Sequence, residues 1–252
     1  MNKYYLLPAF KSAFRGVLKS ILIFIGVMIA VIIANVIITG LASSNPSENM
    51  TISYFEFAAT IMVFVLGICC IREDARVFIQ HGIGRTTTFT TEVLTALAAA
   101  VLLTIAGEVV IGITQNLLYH TSPIEVPLMY QLYTNQYGLA AFSDYLLSAA
   151  LMIPTYLAVY LLGMLISLIF YRLPKPWKIV VAIGVPVLCF IVIPVIGSYA
   201  SGDWLISAIV TPLYYLIKFC AAGLLNCIIT ALALILIFGL CSWLLFRRAP
   251  IK

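Results

Sequence analysis

The sequence predicts an all-α polytopic membrane protein with six transmembrane helices and both termini in the cytoplasm. Three observations lead to this fold class. Of the 252 residues, 63% are hydrophobic and only 9% are charged, and the mean hydropathy is +1.13, so the chain has more apolar surface than a soluble domain can bury. The apolar residues form runs that approach or exceed the roughly 20 residues needed to cross a bilayer. The basic residues gather in alternate connections between these runs, as expected of a multi-pass protein.

Polar segments or segments with Gly and Pro separate the six apolar runs. They divide the chain into an interfacial helix at 1–20, a six-helix transmembrane domain at 21–246 and a cytoplasmic tail at 247–252. The predicted spans cover 21–41, 54–71, 93–113, 145–170 and 179–196, followed by a last span that ends at Phe246.

The first twenty residues have the pattern of an amphipathic helix on the cytoplasmic membrane surface. One helical face carries the apolar residues Leu7, Phe10, Phe14, Val17 and Ile21. Another carries the basic residues Lys11, Arg15 and Lys19. A simple basic flank to the first span gives the same pattern, and the sequence leaves both readings open.

Basic residues set the predicted orientation. Thirteen of the fourteen lie on one side of the predicted membrane, namely Lys3, Lys11, Arg15, Lys19, Arg72, Arg76, Arg85, Arg172, Lys175, Lys178, Arg247, Arg248 and Lys252. The opposite connections carry Glu48, Glu125, Asp144 and Asp203. Because Lys and Arg concentrate in cytoplasmic connections, we expect 72–92 to be cytoplasmic and 115–144 to be external.

The stretch that ends with the last span is too long for one crossing, and two crossings conflict with the charge pattern. Residues 205–246 would extend about 63 Å as one helix, and two full spans would place Arg247 outside. We therefore expect 205–217 to form a re-entrant or interfacial outer element, followed by the last span from about Phe219. Lys218, the one exceptional basic residue, then lies at the joint.

Motifs of hydrolytic enzymes are absent from the sequence. It contains no H-E-x-x-H, no G-x-S-x-G and no phosphate-binding G-x-x-x-x-G-K-[ST]. His81 and His120 fall on opposite sides of the predicted membrane, and the six cysteines lie in or beside apolar runs without metal-ligand spacing. We expect a chain that is not itself catalytic, holds no cofactor or metal and binds no nucleic acid.

The connection between the second and third spans is the most patterned polar segment. In 71–85 one helical face carries Ile71, Ala75, Phe78 and Ile79. Gly82 follows as a helix stop signal. The pattern predicts a short amphipathic helix across the cytoplasmic end of a helix pair, although a solvated connector has the same periodicity.

Six spans with cytoplasmic ends and the F-x-x-x-G-x-x-R stretch of Phe78, Gly82 and Arg85 resemble the permease subunits of ABC-2 type transporters. Members commonly have Ser-Arg-Lys where this chain has Gly84, Arg85 and Thr86. The resemblance implies that this connection is a coupling helix that docks on a separate cytoplasmic ABC ATPase. The docking residues it implies are Glu73, Asp74, Arg76, Phe78, His81, Gly82 and Arg85.

The same resemblance implies an exporter in the bacterial cell membrane. ATP and Mg would be bound by the partner ATPase, and the permease would form a homodimer or a heterodimer with a second permease. An amphipathic or hydrophobic molecule, such as a peptide toxin, bacteriocin or antibiotic, is the implied substrate.

Two ionisable residues in apolar stretches are candidates for a translocation path. Glu108 lies in the outer half of the third span, at a level that Lys218 could reach, and charged groups at such depths are costly unless paired or functional. We expect the two to neutralise each other or to face a shared wet cavity. Glu56, at the outer start of the second span, is expected at the interface.

A second function class remains open from the sequence. A secondary transporter or substrate-capture subunit, not driven by an ABC ATPase, would also be an apolar multi-pass protein. It would carry more carboxylates or broken helices within the membrane than Glu108 and the proline-bearing runs provide. A membrane enzyme is disfavoured by the missing motifs.

Overall fold

The computed structural model of the protein describes residues 3–42, 54–117, 133, 142–174, 215–216, 218–220 and 222–247. These residues form five long helices and no strand. The helices are α1 (Lys3–Ala42), α2 (Tyr54–Gln80), α3 (Arg85–Leu117), α4 (Phe142–Arg172) and α5 (Leu224–Arg247). The predicted span at 179–196 and the predicted outer element at 205–217 lie outside the described residues, apart from Tyr215 and Leu216.

All five helices are long and apolar enough to cross a membrane. Their outward faces are also apolar. The residues exposed on α5, for example, include Leu225, Ile229, Leu232, Leu236, Leu240 and Leu244. A surface of this kind is stable against lipid and unstable against water, so the prediction of a multi-pass membrane protein is confirmed.

Helices α2, α3 and α4 form the centre of the bundle, with α1 packed mainly against α3 and α5 against α4. The main core cluster contains Phe55 and Val63 from α2, Leu103 from α3, and Tyr156 and Tyr160 from α4. Polar residues enter these helices because their hydroxyls bond to carbonyls of the preceding turn. Such bonds run from Thr88, Thr104, Thr114 and Thr155.

Two glycines bring α2 and α4 into direct backbone contact. A Cβ on Gly67 would collide with the carbonyl oxygen of Tyr160, and a Cβ on Gly163 would lie 2.5 Å from the carbonyl oxygen of Phe64. Beside this contact, the Ser167 hydroxyl donates a 2.8 Å hydrogen bond to the Ile68 carbonyl. Small residues permit such close approach between membrane helices. We call this contact the glycine crossing.

Several contacts place one end of every helix together. The Arg85 guanidinium at the start of α3 donates to the Arg247 carbonyl at the end of α5 (2.7 Å), and Arg172 at the end of α4 donates to the Leu245 carbonyl (2.9 Å). The buried Phe78 near the end of α2 packs against the first part of α1. This basic end of the bundle contains Lys11, Arg15, Arg76, Arg85, Arg172 and Arg247. The gathering of these basic residues at one end agrees with the predicted charge asymmetry, and the assignment of that end to the cytoplasm stays a prediction.

Helix α1 differs from the prediction of a separate helix at 1–20. It is one helix of 40 residues, about 60 Å long, because no proline follows Pro8 before its end. Its buried stripe contains small residues, Ala9 and Ala13, followed by Val17 and Ile21, whereas Leu7 is 73% exposed. Whether its first turns lie on the membrane surface stays a prediction.

The predicted amphipathic helix at 71–85 is not a separate element. Helix α2 continues to Gln80, and α3 begins at Arg85 rather than near Val93. The long cytoplasmic connection expected between the second and third spans is therefore a turn of four residues, 81–84.

Candidate functional site

The turn between α2 and α3 is a well-formed helix stop. Gly82 has φ +75°, a conformation that suits glycine. Its N–H donates to the Ile79 carbonyl, and the Ile83 N–H donates to the Phe78 carbonyl (2.9 Å). These two bonds and the packing of Ile83 with Phe78 define a Schellman motif. The sequence prediction of a stop at Gly82 is confirmed, and this α2–α3 tip has a fixed shape.

The residues predicted to dock on a partner divide into two groups in the structure. Arg76, His81, Gly82 and Arg85 are exposed at the tip, where a partner can reach them. Phe78 is only 4% exposed and packs against Ala9 and Ala13 of α1, so its side chain anchors the tip to the bundle. The Glu73 side chain lies outside the described residues.

Arg85 has a structural role besides its exposure. Its guanidinium and that of Arg172 donate to carbonyls in the last turn of α5, where a helix leaves carbonyls unpaired and carries partial negative charge. Close to them, the Phe89 ring packs against the rings of Trp243 (centroids 5.1 Å apart) and Phe246. The tip is thereby connected through α3 to the end of α5.

Asp74 is partly exposed and lies beside a buried carboxyl on α3. Its side chain lies within hydrogen-bonding reach of Glu92. Glu92 has no exposed surface and accepts a 3.2 Å hydrogen bond from the Tyr160 hydroxyl of α4. The Cys70 thiol also lies beside Tyr160. We call these four residues the Asp74–Glu92 cluster.

The sequence prediction missed Glu92 as a candidate site residue. It placed Glu92 at the end of a cytoplasmic loop because the threonine-rich stretch before it lowers the local hydropathy. The one available signal was spacing, since Glu92 and Thr88 lie four residues apart and therefore share a helical face. Both are completely buried.

The predicted translocation-path candidates do not meet in the described structure. Both carboxylate oxygens of Glu108 are buried without a hydrogen-bond partner among the described residues, although Ser148 lies nearby. Lys218 is exposed and precedes α5, in a turn where its carbonyl accepts from the Ala222 N–H. The predicted Glu108–Lys218 pair is therefore not formed there. Glu56, near the start of α2, is buried and lies near Tyr156 together with Glu108, and its predicted level at the membrane interface stays a prediction.

Comparisons with known proteins give no independent identification. No family model matches the chain, and neither a curated protein nor a solved structure matches it.

Proposed function

We propose that this chain is the membrane-spanning permease subunit of an ATP-driven exporter of the ABC-2 type. The observation that carries the proposal is the α2–α3 tip, which exposes Arg76, His81 and Arg85 at the basic end of the bundle. A partner that binds this tip contacts two membrane helices at once, because only residues 81–84 separate them.

The packing supports a mechanical path from the tip into the membrane. The Schellman motif fixes the angle between the end of α2 and the start of α3. Further along α2, the glycine crossing transmits a displacement to α4 through backbone contacts, which cannot be absorbed by side-chain rotation. A push or pull on the tip is therefore expected to move α2, α3 and α4 rather than to deform a loop.

The energy for transport comes, in this proposal, from a cytoplasmic ABC ATPase that binds ATP and Mg. The permease forms a homodimer or a heterodimer in the bacterial cell membrane and exports an amphipathic or hydrophobic molecule. The sequence carries no phosphate-binding loop of its own, which is consistent with a division of labour between two subunits.

The test is an interaction assay with a candidate ABC ATPase, for which the neighbouring reading frames are the natural source. The variants Arg76→Glu and Val77→Arg change exposed tip residues and should abolish co-purification and the stimulation of ATP turnover. Arg15→Glu is the matched control, because it reverses an exposed charge at the same end on α1. Normal binding by both tip variants would overturn the proposed docking role.

A second candidate function follows from the buried carboxyls. Glu92 and Glu108 lie inside the bundle, and carboxyls within a membrane are typical of ion-coupled transport. A secondary transporter would move its substrate in sealed vesicles under an ion gradient without ATP. Transport under those conditions would favour this alternative over the ATP-driven exporter.

A further inference from the structure

The Asp74–Glu92 cluster lies where three helices meet. Asp74 and Cys70 come from α2, Glu92 from α3 and Tyr160 from α4. Glu92 is the eighth residue of α3, about 10 Å along the helix from its start at the basic end. The cluster therefore lies directly behind the α2–α3 tip.

Buried polar groups on this part of α3 lack hydrogen-bond partners among the described residues. One oxygen of Glu92 accepts from Tyr160, and the other, Oε1, has no hydrogen-bond partner among the described residues. Thr95, one turn further along α3, is also completely buried with an unpartnered hydroxyl. An unpartnered carboxylate oxygen in such a place costs about 1–3 kcal/mol, so Glu92 lacks one hydrogen-bond donor.

The groups around Glu92 disfavour its negative charge further. The groups that act on Glu92 from the described chain are the Asp74 carboxyl of α2 and the Tyr160 hydroxyl of α4, with the Cys70 thiol beside them. Within the described ranges, neither α1 nor α5 presents a charged group to it. Two carboxylates this close, of which Glu92 is fully buried, repel strongly unless a cation lies between them.

We propose that Asp74 and Glu92 form a binding site for a single proton. The proton is covalently held by one carboxyl and is donated in a hydrogen bond to the other carboxylate, so the pair carries one negative charge instead of two. A proton needs no coordination shell, which suits a site with no exposed surface at Glu92. A metal ion fits less well, because Cys70, Asp74 and Glu92 are not arranged as a metal site, and neither is any other such group of three His, Cys, Asp or Glu side chains among the described residues.

Occupancy of this site controls how closely α2 and α3 approach behind the tip. With the proton, a hydrogen bond joins the two helices, and without it two like charges push them apart. Tyr160 links this pair to the glycine crossing, because its hydroxyl bonds Glu92 while its carbonyl faces Gly67. A change in α2–α3 spacing therefore reaches α4 at the crossing.

Infrared difference spectroscopy of the purified full-length protein tests the proposal, because a protonated carboxyl has a C=O absorption distinct from that of a carboxylate. Between neutral and alkaline buffers, the unaltered protein should lose a protonated-carboxyl band that depends on Glu92. Glu92→Gln should abolish this component, and Glu108→Gln, a matched change on the same helix that removes only the contribution of Glu108 itself, should retain it. An unchanged band in Glu92→Gln would overturn the assignment.

Two further measurements complete the test. If Glu92→Gln fails to fold, Asp74→Asn serves in its place, and Tyr160→Phe should shift the band because it removes the hydrogen-bond donor to Glu92. Addition of sodium at constant pH should leave the band intact, whereas its loss would show that a metal ion displaces the proton. None of these measurements needs an ATPase, so their outcome is independent of the proposed exporter function.

Discussion

Replacement of Gly163 by alanine tests the glycine crossing most directly. The added Cβ would lie 2.5 Å from the Phe64 carbonyl oxygen and 3.3 Å from the Gly67 Cα, where ordinary contacts begin at about 3.4 Å. All these atoms belong to the backbone, so α2 and α4 must separate by about 1 Å to accept the methyl group. The overpacking costs about 3 kcal/mol.

Two smaller contributions adjust this figure. Separation of the helices weakens the hydrogen bond between Ser167 and Ile68, which contributes about 1 kcal/mol. Alanine stabilises a helix by about 1 kcal/mol relative to glycine. The net destabilisation of Gly163→Ala is therefore expected to be about 3 kcal/mol.

A thermal melt of the detergent-purified protein, followed by circular dichroism, measures the effect. For a chain of this size, about 3 kcal/mol corresponds to a midpoint lower by about 6–12 °C. Gly16→Ala is the matched control, because a Cβ there meets nothing within 4 Å, and its midpoint should stay or rise. Gly107→Ala, whose Cβ meets only the Phe55 side chain and no backbone atom, should have a midpoint between those of the other two variants. Equal midpoints for Gly163→Ala and Gly16→Ala would refute the close approach of α2 and α4.

Three further outcomes are expected. Phe78→Ala should lower the free energy of unfolding by about 3 kcal/mol, because the ring is buried, and its melting midpoint should fall accordingly. Val77→Ala is the control, because it changes a half-exposed side chain and should alter the melting midpoint little. Gly82→Ala should cost about 1–2 kcal/mol because of the positive φ, and hydrogen exchange should rise in the tip amides. Glu108→Gln and Lys218→Met should have additive effects on the midpoint, since the described structure does not pair them. A double variant more stable than the sum of the two single effects predicts would show that the two residues interact.

Long-range patterns of the sequence predicted the fold class well. Apolar runs identified segments of all five described helices, and the basic residues predicted which helix ends lie together. The stop at Gly82 was also predictable, because left-handed backbone at a helix end has a strong preference for glycine. Each of these features depends on local chemistry or on a sum over many residues.

Features set by tertiary packing were not predictable. Periodicity placed Phe78 on an apolar face, but it could not show that Ala9 and Ala13 of α1 cover that face. The threonine-rich start of α3 was predicted to be a loop because its hydropathy is low. Hydropathy does not account for hydrogen bonds within a helix, such as the one from the Thr88 hydroxyl to the Gly84 carbonyl. The burial of Glu92 follows from this missed helix start.

The parallel arrangement at the glycine crossing has a consequence for biosynthesis. Phe64 faces Gly163 and Ile68 bonds to Ser167, so α2 and α4 run in the same direction and cannot pair as a simple hairpin. During synthesis α2 enters the membrane long before α4 is translated. The surface of α2 around Gly67 therefore contacts lipid until α4 has been inserted. Since membrane helices insert first and associate afterwards, the central contact of the bundle is among the later ones to form. A chain stalled after α3 would hold the complete tip but lack the contact that supports α2.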